Sequence, residues 1–226
     1  MSNTFGSNIL TEGLVFNFDG GDISDNPQTG NVVDGVGGKV GVNTGADVSS
    51  SYAPTFDGSD DRIDFVSGSV SNDFAFGTDD FTIESWFRYT GANFDSAPYI
   101  IDMRAQGAQS EQKPTIYIWN DKLQIFANNG TMSDGSETMT VDTWFHLVVT
   151  RIGSTRYVYL NNTQTNSDSH TLSYVASRPR LGARSNLLGA QFWNGNIPIV
   201  RIYKGKGFTA EEVSNNYNAV RGRFGV

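Results

Sequence analysis

The sequence contains no cysteine, and this absence removes several kinds of chemistry at once. Without cysteine the chain cannot form disulfides, build a cysteine-type zinc site or use a thiolate nucleophile. Stability must therefore come from a packed core. A chain of 226 residues is long enough to bury about 70 % of the surface that it exposes when unfolded.

Clustered positive charge and long apolar runs are also missing. The formal net charge is −8, and the 16 lysines and arginines are scattered along the chain. Nucleic acid requires clustered basic residues, and a membrane-spanning helix requires about 20 apolar residues, so we expect neither nucleic-acid binding nor membrane insertion. The first residues, "MSNTFGSNILTEG", lack the basic start and the apolar stretch of a secretory signal peptide.

Short runs of alternating apolar and polar residues, separated by turn residues, predict an all-β chain. The clearest run is "DDFTIESWFRY", which places Phe81, Ile83 and Phe87 on one face of a strand. Near the end the pattern changes to a short amphipathic helix, because Thr209 and Glu212 form a capping box ahead of an apolar stripe. We expect this helix to cover an edge or an end of the sheets.

The chain is predicted to form one domain over residues 1–226, because neither an internal repeat nor a linker divides it. Residues 1–13 and the polar, glycine-rich residues 20–50 are expected at its periphery. The second of these segments is interpreted as a long surface excursion with one short strand.

Four segments, in this order, resemble the concanavalin A-like jelly rolls of the laminin-G-like group. They are "FDGSDDRIDF", "FTIESWFR", "TWFHLVVTRIGSTRYVYLNN" and "FWNGNIPIVRIYKGKGFTAEEVSNNYN", and they cover roughly residues 53–220. The resemblance implies a two-sheet antiparallel jelly-roll sandwich with one short C-terminal helix. Asn161-Asn162 stands where the group usually has an Asn-Gly turn, and asparagine tolerates positive φ better than most residues.

Two segments near the ends of the chain, "GLVFNFDGGDISDNP" and "NYNAVRGRFGV", resemble versions of this domain in structural proteins of tailed bacteriophages. That resemblance implies a non-enzymatic virion structural or decoration protein, assembled in the host cytoplasm and docked on capsid or tail subunits. Other virion proteins, host-surface or mucus glycans and further copies of the chain are then the expected partners. A lectin-like glycan-binding module outside a virion is the alternative, and a polysaccharide hydrolase is a third interpretation.

The sequence contains no strand with the paired carboxylates that glycoside hydrolases of this fold place across the scissile bond. Glu84 stands alone on its predicted strand and is expected on a face partly covered by loops. His146 lies in an apolar strand and is expected to be buried and hydrogen bonded, whereas His170 lies in a polar segment and is expected in solvent. We therefore predict no catalytic residues.

The segment "FDGSDDRIDF" carries a candidate metal site at Asp57, Asp60 and Asp61. Calcium takes about six to eight oxygen ligands, and these carboxylates can supply some of them. The dipeptide Asp57-Gly58 is also a strong turn signal, so a structural hairpin turn explains the same acids. Pro198-Ile199 replaces a pair of acids that holds a cation in some relatives of the group. A structural Ca2+ site and a turn without any cofactor both remain open.

Two clusters of aromatic and polar residues are candidate glycan sites, because sugars bind where rings stack beside fixed polar groups. The candidates are Trp119, Asn120 and Asp121 in "YIWNDK", and Trp193 and Asn194 in "QFWNGN". For Trp193 the alternative is a position in the core. Tyr99 and Arg104 are further candidates to line a groove.

Overall fold

A computed structural model gives the fold and describes residues 9–22, 24–49, 53–65, 69–104, 113–126, 131–133, 138–185 and 191–226. These residues contain fifteen strands and one α-helix. The strands are β1 (Leu14–Asp19), β2 (Val32–Val33), β3 (Val40–Thr44), β4 (Thr55–Asp57), β5 (Arg62–Phe65), β6 (Phe81–Tyr89), β7 (Tyr99–Asp102), β8 (Thr115–Trp119), β9 (Lys122–Phe126), β10 (Thr131–Ser133), β11 (Trp144–Ile152), β12 (Thr155–Leu160), β13 (Thr163–Ser169), β14 (Arg180–Leu181) and β15 (Asn194–Lys204). The helix, α1, spans Ala210–Val220, and a short 3-10 turn at Arg221–Arg223 follows it.

The strands pair into two antiparallel sheets. Sheet A has the order β1-β15-β6-β11-β12-β13, and β4 also pairs with β15. Sheet B has the order β10-β9-β8-β7-β14-β5-β3-β2. This arrangement confirms the predicted all-β, two-sheet antiparallel jelly-roll sandwich with one short C-terminal helix.

The core lies between the sheets and is formed by the side chains that strand alternation turns inward. On β6, Phe81, Ile83 and Phe87 are buried in it. Phe16 of β1 and Phe65 of β5 come from opposite sheets and meet edge to face, with ring centroids 4.7 Å apart. Aromatic pairs of this geometry contribute about 0.5–1.5 kcal/mol beyond the burial of their area. The abundant aromatic residues therefore join the two sheets.

The outer face of sheet A is covered by α1, which differs from the predicted place at an edge or an end. Val213 packs in a cluster with Val148 and Tyr203, and Val220 packs in a second cluster with Trp86. The prediction was wrong because a single apolar stripe shows that a helix must be covered, without showing which surface covers it. The central strands of sheet A, β6, β11 and β15, are thus buried on both faces.

The helix begins as predicted. The Thr209 hydroxyl accepts a hydrogen bond from the Glu212 amide (3.3 Å), and the Glu212 carboxylate accepts one from the Thr209 amide (2.9 Å). These reciprocal bonds satisfy backbone groups that the first turn leaves without partners. None of the helices in the described residues has the length and apolar character that a membrane crossing requires.

Two turn-rich segments take part in the sheets. Residues 20–50, expected to hold one short strand, contribute both β2 and β3 to sheet B. The turn between β12 and β13 is made by Asn161 and Asn162, with φ angles of 48° and 66°. Asparagine therefore makes this turn without glycine, as the sequence predicts.

Candidate functional site

Trp119 ends β8, and 51 % of its surface is exposed. The next two residues, Asn120 and Asp121, have φ angles of 50° and 58° and form the two-residue turn into β9. Positive φ at both positions matches the right-handed twist of the flanking strands. The Asp121 carbonyl also accepts a hydrogen bond from the Met139 amide (2.8 Å). The first predicted cluster therefore sits on a hairpin that is anchored at its tip.

The second predicted cluster does not join this surface. Trp193 is fully buried, and its ring centroid lies 5.6 Å from that of Phe87 and 5.0 Å from that of Tyr89. Its interpretation as a glycan platform is therefore corrected, and the alternative, a position in the core, is confirmed. Asn194 begins β15 in sheet A, where its Oδ1 accepts a hydrogen bond from Thr90 Oγ1 (3.0 Å). The two clusters thus belong to different sheets.

Two tyrosines extend the aromatic surface beside Trp119. Tyr117 precedes Trp119 by two residues on β8, so both side chains project from the outer face of sheet B. Tyr99 of β7 pairs with Tyr117 and stacks on it, with centroids 4.8 Å apart and planes 11° apart. We call Tyr99, Tyr117 and Trp119 the aromatic platform. The sequence analysis missed Tyr117, although the alternation in "TIYIW" places it on the same face as Trp119.

Two arginines lie beside Tyr99 of the platform. The guanidinium carbons of Arg104 and Arg184 are 5.9 and 6.0 Å from the centre of the Tyr99 ring. Arg104 also donates a bidentate pair of hydrogen bonds to Asp102, from Nε to Oδ1 (2.9 Å) and from Nη2 to Oδ2 (2.7 Å). Burial alone would lower the pKa of Arg104, but the hydrogen bond and the charge of Asp102 raise it. Tyr99 and Arg104 are therefore adjacent, but both are buried, which differs from the expected position lining a groove.

A further group of arginines surrounds Asp64 on the same outer face. Arg180 Nε lies 2.6 Å, Arg62 Nε 3.4 Å and Arg178 Nη1 3.8 Å from its carboxylate oxygens. The cluster forms because Arg180 of β14 is the register partner of both Asp64 on β5 and Asp102 on β7. No local pattern in the sequence brings β14 between these two strands.

The three candidate metal ligands come together in the turn between β4 and β5. One carboxylate oxygen from each of Asp57, Asp60 and Asp61 lies within 4.8 Å of the others. Two of the acids also hold the turn, because Asp61 accepts a hydrogen bond from the Asp57 amide (2.8 Å) and Asp57 accepts one from the Ser59 amide (2.8 Å). Gly58 has a φ of +82°, which glycine adopts most readily.

Both functions proposed for this turn have a physical basis. Burial raises the pKa of Asp61, and the charges of Asp57 and Asp60 raise it further. A cation would relieve this repulsion, so structural Ca2+ stays a prediction beside the turn that the geometry already shows. A rise of the thermal unfolding temperature with Ca2+, lost in Asp60→Asn, would support it, and an unchanged temperature would contradict it.

Glu84 and His146 are fully buried on the outer face of sheet A, beneath α1. Glu84 Oε1 lies 2.9 Å from His146 Nε2 and 3.4 Å from Arg201 Nη1, while Oε2 accepts a hydrogen bond from Asn216 Nδ2 (2.8 Å). Burial alone would raise the pKa of Glu84, but Arg201, His146 and Asn216 together lower it to about 2. The prediction for His146 is confirmed, whereas Glu84 is covered by the helix and not by loops.

His170 was expected in solvent, and this prediction is wrong. Only 5 % of the residue is exposed, and its Nε2 lies 2.6 Å from Tyr174 Oη. Burial lowers the pKa of His170 to about 4, and the nearby charge of Arg156 acts in the same direction. Its neighbours in the sequence are polar, but the loop after β13 folds back onto the sandwich.

Two clefts lie along α1. The first, of about 300 Å³, is lined by Asp19, Gly21, Asp22, Asn218, Ala219, Val220, Gly222 and Arg223. The second, of about 420 Å³, is lined by Leu10, Asn215, Asn218 and Ala219. Both clefts lie on the sheet A side of the sandwich. Of the aromatic platform, on sheet B, Trp119 is exposed, Tyr117 is half-buried and Tyr99 is buried.

The same fold is found in several solved structures. Trypanosoma rangeli sialidase superimposes with a TM-score of 0.73 and 11 % identity, over 95 % of this chain and 33 % of the sialidase. The binding domain of Paraclostridial Mosquitocidal Protein 1 gives a TM-score of 0.69 and 17 % identity, over 95 % and 52 % of the two chains. The receptor binding domain of botulinum neurotoxin mosaic serotype C/D gives 0.68 and 16 %, over 91 % and 50 %.

These likenesses show the fold alone, because the identities are low. The chain spans about a third of the sialidase and about half of each toxin chain. Comparison with curated proteins finds no match.

The prediction of a non-enzymatic protein requires correction. Sialidases are enzymes, and the sialidase chains contain this fold over about a third of their length. The prediction depended on the absence of strands with paired carboxylates, which is the signal of only one kind of active site. That absence does not exclude enzymes built with this fold, so the prediction is wrong.

The family assignment agrees with the four segments that resembled laminin-G-like jelly rolls. The family model described as "Concanavalin A-like lectin/glucanases superfamily" matches residues 57–214, which is well over half of the 226 residues. The matched region extends from the end of β4 into α1 and includes the aromatic platform. This is a carbohydrate-binding fold of the lectin and glucanase type. The chain belongs to the concanavalin A-like lectin/glucanases superfamily.

Proposed function

We propose that the protein binds carbohydrate on the outer face of sheet B, with Trp119 as the principal stacking residue. The observation that carries this proposal is the exposure of Trp119, 51 % of whose surface is open, on the same face of the sheet as the stacked pair Tyr99 and Tyr117. The lectin and glucanase type of fold supports the same function.

The hairpin is well suited to present such a ring. A sugar that stacks on an indole needs polar groups nearby to fix its hydroxyls, and the exposed side chains of Asn120 and Asp121 follow Trp119 directly. The turn is anchored through the bond from Met139 to Asp121. A surface that is already ordered binds with a smaller loss of conformational entropy than a flexible one.

Replacing Trp119 with alanine is expected to weaken binding at least about tenfold, because exposed tryptophans at the centre of an interface contribute strongly to affinity. Affinity electrophoresis against a panel of immobilised polysaccharides, followed by calorimetry on the polysaccharide that retards the protein most, measures this loss. Because about half of the side chain is exposed, the thermal unfolding temperature should change little.

Val175→Ala is the matched control. Val175 is 57 % exposed and follows Tyr174, which pairs with Gly77 ahead of β6 and therefore at the other end of the sandwich. This variant should bind like the unmodified protein. Equal binding by Trp119→Ala and by the unmodified protein would contradict the proposed site, and no retardation by any polysaccharide would contradict the proposed function.

We also propose a virion setting as a second candidate function, in which the domain docks on capsid or tail subunits and presents its glycan surface outward. The support is the resemblance of the two end segments to phage structural proteins, together with their contact in the fold. β1 lies beside β15, and Asp19 Oδ1 accepts a hydrogen bond from Arg223 Nη1 (2.6 Å). The two segments thus belong to one surface of sheet A, opposite the aromatic platform.

In this setting the protein is expected to copurify with assembled particles at a fixed number of copies per particle. Density-gradient fractions analysed by quantitative mass spectrometry measure that ratio. Recovery of the protein only as free material in the lysate would contradict docking, while leaving carbohydrate binding intact.

A further inference from the structure

A groove runs along the C-terminal half of α1, on the side of the sandwich opposite the aromatic platform. It consists of the two clefts of about 300 and 420 Å³, which share Asn218 and Ala219. Its walls come from distant parts of the chain, namely Leu10, the turn after β1, and α1 with the 3-10 turn that follows it. We call it the α1 groove. Its size is within the range of small-ligand sites, which is about 300–1,000 Å³.

The polar groups that remain available in the α1 groove are acceptors. Asp22 Oδ1 accepts hydrogen bonds from the Ser24 amide (2.9 Å) and hydroxyl (2.6 Å), whereas its Oδ2 accepts none from the described residues. Asn218 donates from Nδ2 to the Ser214 carbonyl (2.9 Å) and hydroxyl (3.2 Å), and in the described part of the chain its Oδ1 has no donor. A ligand that satisfies these two oxygens brings N–H or O–H donors.

The carboxylates favour a donor that is positively charged. Asp19 Oδ1 already holds one guanidinium in the groove, that of Arg223, at 2.6 Å. Asp22 forms no ion pair with any residue that the structure describes. Burial and the charges of Asp22, Asp19 and Asp34 raise the pKa of Asp25, which is buried beside Asp19, so the carboxylates at this corner repel one another. A cation in the groove would reduce this repulsion.

The number of carboxylates separates an organic cation from a metal ion. Calcium takes about six to eight oxygen ligands. The described lining of the groove contains the carboxylates of Asp19 and Asp22, and Asp19 is already bonded to Arg223. An ammonium or guanidinium group needs fewer acceptors, because each of its hydrogen bonds is made to one oxygen. The groove therefore fits an organic cation better than a divalent metal ion.

The wall beside the acceptors is apolar. Leu10 and Ala219 line the groove, and both are half-buried. Lysine and arginine place their alkyl stems along such surfaces while the charged end reaches polar groups. We propose that the α1 groove binds a lysine or arginine side chain of a partner protein, with the stem on Leu10 and Ala219 and the charged end at Asp22 and Asn218. This inference rests on the proposed docking through sheet A, whose partner chemistry it names, and it is independent of carbohydrate binding.

Matched pairs of blocked amino acids test the groove directly. Nα-acetyl-arginine amide is compared with Nα-acetyl-citrulline amide, and Nα-acetyl-lysine amide with Nα-acetyl-norleucine amide, by NMR titration of the isotope-labelled protein. At least one cationic member should bind with a dissociation constant on the order of 1 mM, and at least about fivefold more tightly than its neutral partner. The amide signals of Gly21, Asp22 and Gly222 should shift. Salt at about 150 mM, where the screening length is about 8 Å, suppresses attraction between distant charges.

Variants locate the cation. Asp22→Asn should weaken binding of the cationic member at least about fivefold, and the turn should persist because asparagine keeps Oδ1 for Ser24. Asn218→Ala, at an exposed position, should weaken it at least about twofold. Glu211→Gln is the matched control, because Glu211 is an exposed acid about 10 Å from Asn218 along the helix, at about 1.5 Å per residue. Glu211→Gln and Trp119→Ala should bind like the unmodified protein.

Equal binding of the cationic and neutral members would overturn the inference, as would shifts confined to residues outside the groove. Equal weakening by Asp22→Asn and Glu211→Gln would also overturn it, because general attraction to an acidic protein would then explain the binding. Binding of no member of either pair would overturn the inference alone. Copurification with particles and retardation by polysaccharides would still decide the two proposed functions.

Discussion

Glu84→Ala is expected to lower the free energy of unfolding by about 3–5 kcal/mol, the loss typical when one partner of a buried ion pair is removed. The substitution deletes the contacts with His146, Arg201 and Asn216 in one step. Arg201, which is fully buried, would then keep only the distant carboxylate of Asp19 at 3.8 Å as a charged partner among those described. Urea denaturation at pH 7 measures the loss.

Glu211→Ala is the matched control, because Glu211 is an exposed acid in the first turn of α1. It should change the free energy of unfolding by less than about 0.5 kcal/mol. Similar values for the two variants would contradict the structural role of the buried network.

The pH dependence of Glu84 follows from its lowered pKa. Because the pKa is about 2 in the folded protein and 4.5 when unfolded, the stabilisation is fully present above about pH 4.5. It is lost progressively as the pH falls from 4.5 towards 2. The stability difference between the unmodified protein and Glu84→Ala should therefore shrink in this acidic range.

Asp25→Asn is expected to stabilise the protein at pH 8 and to leave it almost unchanged at pH 4. Asp25 is 1 % exposed, and its Oδ2 accepts hydrogen bonds from Asn17 Nδ2 (3.1 Å) and from the Asp19 amide (3.0 Å). Burial and the charges of Asp22, Asp19 and Asp34 together raise the pKa of Asp25 to about 7, against the lowering effect of the hydrogen bond from the Asp19 amide. Asparagine keeps an acceptor oxygen without the charge.

Raising the pH changes the free energy of unfolding through Asp25 in the direction opposite to the change through Glu84. Between pH 3.8 and about 7 the folded protein binds more protons than the unfolded chain, so the free energy of unfolding falls as the pH rises through this range. The interval between the two pKa values corresponds to at most about 4 kcal/mol. Chemical denaturation from pH 4 to pH 8 measures the difference between the variant and the unmodified protein.

Asp95→Asn serves as the control, because Asp95 is an exposed acid in the loop after β6. This variant should follow the unmodified protein at every pH. A difference between Asp25→Asn and the unmodified protein that stays constant with pH would contradict the raised pKa of Asp25.

Local sequence patterns were sufficient to predict the strands, the helix and part of the aromatic platform. Alternation in "FTIESWFRY" assigned the two faces of β6 correctly, and Thr209 with Glu212 marked the start of α1. The strand pattern of "TIYIW" likewise placed Trp119 at a strand end, where it is exposed. For Trp193 the local pattern left two positions open, because a tryptophan beside asparagine and glycine has the same local appearance whether its ring faces solvent or the core, and the structure shows the core position.

The burial of polar loop residues could not be predicted from the sequence. Asp25 lies in a segment interpreted as a surface excursion, and no local signal indicates that its carboxylate is buried against β1. His170 was misplaced for the same reason. In both cases burial depends on how a polar loop folds back onto the sheets, and a composition of polar residues describes only the loop itself.

The strand pattern, the C-terminal helix, the turn chemistry and the family could be predicted from local sequence, because they depend on neighbouring residues and on ordered motifs. Three features became evident in the folded structure alone: α1 covers sheet A, Arg62, Arg178 and Arg180 meet around Asp64, and Tyr99 stacks beside Tyr117. These contacts join strands far apart in the chain. Their positions are fixed by sheet order and register, which arise from the packing of the whole domain.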